Sequence, residues 1–108
     1  MMLHPTFVQH LIEIIMTIEI LYEALRRLTE LEDNWYIAKL TKDGRKRGKK
    51  IEDAQKAIAN FTHFLPGEVV AYLTKTVGEN AIQYPHADDV TRCRIALEGW
   101  IRQLSKDS

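Results

Sequence analysis

A chain of 108 residues with 45% hydrophobic and 28% charged side chains has the make-up of one domain with its own core, far from the low-hydrophobicity regime of disorder. Fifteen basic and fifteen acidic side chains cancel, which excludes a global field drawing the protein onto DNA, RNA or an anionic membrane and leaves polyanion binding to a local patch. Cys93 is the only cysteine, which excludes an internal disulfide and a cysteine-based zinc site and leads us to expect a reducing, cytoplasmic setting.

The first predicted element is long. Pro5 suits a first helical turn, where its missing N–H costs nothing. Phe7, Leu11, Ile14, Ile18, Leu21, Leu25 and Leu28 then recur alternately four and three residues apart, a heptad seam. Tyr36 and Leu40 fall on the same side if the helix continues, so the pattern predicts a helix from about residue 5 to about residue 41. Glu32-Asp33-Asn34 is a candidate break, and 35-WYIAKL-40 is open to a strand reading. The apolar run 11-LIEIIMTIEILY-22 is interrupted by Glu13 and Glu19 and falls short of the roughly 18 residues of a membrane span. MMLHPTFVQH before it lacks Lys and Arg and no small-residue cleavage site follows, so a signal peptide is not expected.

Asp43-Gly44 and Gly48 read as turn residues and place the basic stretch 42-KDGRKRGKK-50 in a connection. Ile51, Ala54, Ile58, Phe61 and Leu65 predict a second helix over about 50–64, closed by Pro66. Val69, Leu73 and Val77 predict a third over about 67–77, ending near Gly78. Residues 78–89 have loop composition, with Asp88 or Asp89 as the cap of a fourth helix over about 88–105. In that helix Val90, Cys93, Leu97, Trp100 and Leu104 form the apolar stripe, Ala96 and Ile101 widen it, and Arg92, Arg94 and Arg102 mark the wet side. Gly99 inside it costs about 1 kcal/mol and reads as the site of a close helix crossing. The expected fold is all-α: one domain over residues 1–108, a compact bundle of about four helices with a long N-terminal helix.

One feature exceeds what a bundle needs. Ile12, Met16 and Ile20, spaced by four, lie roughly opposite the seam of the first helix. Two apolar faces imply two contacts, and the expected use of the second is a protein interface, including self-association into a homo-oligomer. The rival is a first helix running through the middle of the fold with every side covered.

The basic stretch holds Lys42, Arg45, Lys46, Arg47, Lys49 and Lys50. Such a segment follows phosphates by counterion release. It lacks an aromatic for base stacking, contains Asp43, and belongs to a chain whose remainder holds nine bases against fourteen acids. A solvated interhelical loop, facing an acidic partner at most, is the preferred reading, and nucleic-acid contact through Arg45, Lys46, Arg47, Lys49 and Lys50 is the alternative. Trp35-Tyr36 beside it reads as a core or interface pair before it reads as a stacking platform.

Nothing in the chain spells a reaction. His4, His10, His63 and His86 show no metal-ligand spacing, and His86 with Asp88 and Asp89 is explained by helix capping. Glu13, Glu19, Glu23, Glu30 and Glu32 lack the Glu-x-x-His pairing of a di-metal bundle and read as a solvated face. Cys93 sits on an apolar stripe with no base beside it, and no phosphate-cradling glycine motif occurs. No catalytic residue, cofactor or metal is expected. The expected function is a small non-enzymatic regulator, inhibitor or adaptor that binds another protein through helix–helix contacts. Nucleic-acid binding is second, and an enzyme with a site formed across a subunit interface third.

Overall fold

The computed structural model describes residues 5–107, with side chains from Val8 to Lys106. It is all-α, with no strand among the described residues: α1 Pro5–Leu40, α2 Gly44–Ala59, a 3-10 turn Phe61–Phe64, α3 Gly67–Val77, α4 Glu79–Gln83 and α5 Ala87–Asp107. No helix among these residues is long and apolar enough to cross a membrane.

α1 is unbroken through Glu32-Asp33-Asn34, and residues 35–40 are helical. The inward line of its C-terminal half runs through Leu21, Ala24, Leu28, Leu31, Trp35 and Ala38, spaced three and four. Tyr36 and Leu40, expected on the buried side, are 62% and 76% exposed. Each step of four advances about 40° around a helix, so three such steps from Leu28 to Leu40 leave the core by about 120°. Phe7, at the head of the predicted seam, lies outside the described side chains.

The connection after α1 is shorter than expected, and the basic stretch is not a loop. Asp43 caps α2: its Oδ1 accepts from the backbone N–H of Arg45 at 3.0 Å and of Lys46 at 3.1 Å. That cap satisfies two of the donors left over at a helix start, and it places Gly44 and Gly48 inside the helix. α2 ends at Ala59, before the 3-10 turn that buries Phe61. Pro66 opens α3, and Gly78, at φ 120° and ψ 152°, separates α3 from α4 in a backbone region that side-chain-bearing residues avoid. Residues 79–83, expected as loop, form one short helix that buries Ala81.

The core gathers Leu21, Ala24 and Leu28 with Ile58, Phe61, Leu65, Val69, Leu73, Val90, Cys93, Leu97 and Ile101. α1 packs against both α2 and α5, and α3 against α4 and α5. Tyr72 of α3 lies over Trp100 of α5 with ring centroids 4.2 Å apart, its hydroxyl donating to the Ala96 carbonyl at 3.4 Å. α5 begins one residue earlier than expected, at Ala87, so Asp88 and Asp89 lie in its first turn rather than at the cap position, which is His86; the Asp89 carboxylate reaches back to accept the His86 backbone N–H at 2.9 Å.

A polar clamp fixes the register of α1 on α5. Glu32, expected on a solvated face, accepts from the Thr91 hydroxyl at 2.9 Å and from the Arg94 guanidinium, which also bonds Glu98 at 2.7 Å. The Glu32 and Arg94 side chains are only 13% and 26% exposed, so Arg94 is not on the wet side. Gly99 serves no close crossing: an added Cβ there would meet only the Arg102 guanidinium, at 3.9 Å.

Candidate interaction surface

α1 and α5 run antiparallel, with Glu32 level with Thr91 and Arg94. At 1.5 Å per residue, the end of α5 is level with about residue 18 of α1. The 3-10 corner reaches no further, since Phe64 and Pro66 border α1 from Met16 to Arg27. The N-terminal part of α1 therefore extends past the bundle as an arm. The Cα radius of gyration, 17.2 Å, records this against about 13 Å for a rounded domain of this length.

The arm is rich in apolar side chains, interrupted by Glu13 and Glu19, and no residue from Val8 to Ile20 is buried. Ile12, Met16 and Ile20, the residues singled out by their spacing, are 51%, 56% and 43% exposed. A helix through the middle of the fold is thereby ruled out for this segment. Val8 extends the same line by one step of four, and Ile15 lies beside it, 55% exposed. Because steps of four wind slowly around a helix, this ridge turns into the core one step later, at buried Ala24. Sequence reasoning missed Phe64, which stands 63% exposed at the foot of the arm. With Met16, Ile20, Ala24 and Pro66 it lines an open cleft of 390 Å³. The signal was an aromatic next to Leu65-Pro66, where the second helix was expected to close.

Charge around the ridge is mixed: Glu19 lines the cleft beside Met16 and Ile20 and makes no ion pair among the described residues, while Glu23 is paired. Glu23 bonds Arg26 at 2.7 Å and Arg27 at 3.4 Å. The Arg26 hydrogen bond holds its carboxyl below the usual carboxylate range and raises the Arg26 guanidinium in turn.

The basic residues form a second exposed feature at the other end of α1. Arg45, Lys46, Arg47, Lys49 and Lys50 occupy the first two turns of α2, all exposed, and among the described residues neither they nor Lys42 make an ion pair. Being helical, they point around the axis rather than along one stripe. Five cations at the positive end of a helix dipole repel one another and the dipole, an arrangement that an anionic partner relieves. Trp35 and Tyr36 part company here: Trp35 packs on the core under Lys39, whose Nζ is 5.9 Å from the ring centroid, while Tyr36 faces water.

The Cys93 thiol, fully buried, is pushed up to about 11 by burial and by the nearby Asp89 carboxylate. Among the described residues no three His, Cys, Asp or Glu side chains gather closely enough to hold a metal ion, and His4 lies outside those residues. The fold and surface define a helical bundle carrying a free apolar arm at one end of α1 and a basic tip at the other. Comparison with protein-family models, with curated proteins and with solved structures finds no match.

Proposed function

We propose that the protein is a small non-enzymatic regulator or adaptor that works in the cytoplasm by helix–helix contact through the arm of α1. One observation carries this reading: Val8, Ile12, Met16 and Ile20 form a continuous ridge, 38% to 56% exposed, that no other element buries among the described residues. An apolar ridge of this kind inserts between the side chains of a facing helix, and its anchors follow the four-residue spacing seen here. Contiguous exposed apolar patches larger than a few hundred Å² mark interaction sites in soluble proteins.

The test is capture of partners from the native host, comparing wild type with Met16→Glu. The charge sits in a contact that cannot pair it, so the variant keeps its helical circular dichroism and loses the captured protein. Capture unchanged by Met16→Glu would refute the arm as the binding element.

The unpaired cations of α2 favour a second reading, contact with nucleic-acid phosphates. It requires an affinity that falls steeply with salt, and a shallower salt slope when Arg45, Lys46 and Arg47 are changed together to Ser. Fluorescence anisotropy at several salt concentrations measures both.

A further inference from the structure

The accessible area of the chain bounds how much surface a partner can cover. The chain exposes 7882 Å² at a mass of 12.5 kDa, whereas a monomer of that mass exposes about 6,200 Å², leaving an excess of about 1,700 Å². A standard protein–protein interface takes about 800 Å² from each partner, and obligate homodimers take more. The excess is spread over the whole chain and is about twice the share that one copy gives to a standard interface, so it leaves room for a dimer contact.

We propose that the occupant is a second copy of this chain: two α1 helices cross antiparallel on the ridge Val8, Ile12, Met16 and Ile20, with Met16 at the two-fold axis. The proposal rests on the helix-contact reading above and names its partner. A two-fold contact brings the same patch of each copy together, so the patch must complement itself. A ridge of residues four apart does so, because two such ridges interdigitate at a crossing of about −50°, the commonest class of helix packing. With Met16 on the axis, Ile12 of each copy meets Ile20 of the other, and Val8 comes level with Ala24. Val8 and Ile12 of the second copy then enter the cleft beside Phe64 and Pro66. One contact covers the ridge, the exposed Phe64 and the cleft together.

The direction follows from charge. Glu23 lies close to the line of the ridge, near Met16 and Arg27 on the helical wheel. In a parallel pair the two Glu23 carboxylates stand level at the seam. In the antiparallel pair each stands level with Gln9, whose amide donates to a carboxylate. Antiparallel helices also oppose their dipoles.

Cysteine cross-linking with sedimentation equilibrium tests this on the full chain. Cys93 is fully buried and does not compete. Met16→Cys, at an exposed site, brings two thiols together at the axis, and mild oxidation is expected to convert the protein to a covalent dimer. In Val8→Cys the two thiols stand about 24 Å apart along the helices, at 1.5 Å per residue, and no covalent dimer forms. Wild type sediments as a dimer at micromolar concentration, and Ile12→Glu as a folded monomer. Equal cross-linking of Val8→Cys and Met16→Cys would overturn the antiparallel arrangement in favour of a parallel one. A wild type that is monomeric at every concentration would overturn the second copy as occupant. If that monomer still captures a host protein through Met16, the helix-contact reading survives without it; if Met16→Glu changes nothing, both fall.

Discussion

Between Leu21 and Ala38, α1 holds four side chains at 1% exposure or less, while between Val8 and Ile20 it buries none, although isoleucine and leucine are denser there. Both halves belong to one unbroken helix. The difference lies in reach: α2, α5 and the Phe64 corner cover α1 only from about Met16 onward. Hydrophobicity decides which faces need cover, and chain length decides which faces the chain can cover by itself. The uncovered remainder is the face we propose a partner to cover.

The two halves respond differently to mutation. Leu28→Ala, at a fully buried site, costs about 3 kcal/mol at any protein concentration. Ile12→Ala on the arm lowers the melting temperature only where the protein is associated, so its effect shrinks on dilution. Thermal melts across a hundred-fold concentration range separate these behaviours, and an Ile12→Ala effect indifferent to concentration would erase the distinction.

Next in size is the clamp that sets where the arm begins. Glu32→Gln leaves the Arg94 charge half-buried with Glu98 alone and costs about 2 kcal/mol. Chemical denaturation measures it, and a change below a few tenths would mean that apolar packing alone holds α1 on α5.

The covered half also carries a pH signature. A thiol ionises near 9.0 in an unfolded chain, whereas Cys93 in the fold is raised to about 11 by burial. The raised value favours the protonated fold, so this contribution is complete below the unfolded value and is lost as pH rises toward the folded one. Stability falls by about 1.5 kcal/mol between pH 7 and pH 10, and Cys93→Val removes that part of the loss. An identical pH profile in the variant would contradict it.

The smallest effect is a gain. Gly99→Ala in α5 meets only a flexible arginine tip and stabilises the protein by about 0.5–1 kcal/mol, because alanine surrenders less conformational freedom in a helix. A loss would mean that Gly99 has a packing role after all.

Much of this arrangement was legible in the sequence where periodicity carries it. The three/four spacing of Leu21 to Leu28 and of Val90 to Leu104, and the spacing by four of Val69, Leu73 and Val77, marked three helices and their inward sides, and the four-residue step from Ile12 to Ile20 marked the exposed ridge. What was not legible depended on local chemistry or on distant partners. Asp43-Gly44 is a turn signal and a helix start alike, and only the hydrogen bonds from Arg45 and Lys46 decide between them. Glu32 resembles any solvated acid of α1 until the fold brings up Thr91 and Arg94, some sixty positions away. Phe64 joins the ridge through a corner that no spacing rule connects to Met16.

Amide hydrogen exchange along α1, followed at high and low protein concentration, tests the central claim most directly. If a second copy covers the arm, residues 8–20 exchange slowly when concentrated and become fast on dilution or in Met16→Glu, while residues 21–40 stay protected throughout. Equal protection of both halves at every concentration, in a chain that sediments as a monomer, would contradict it.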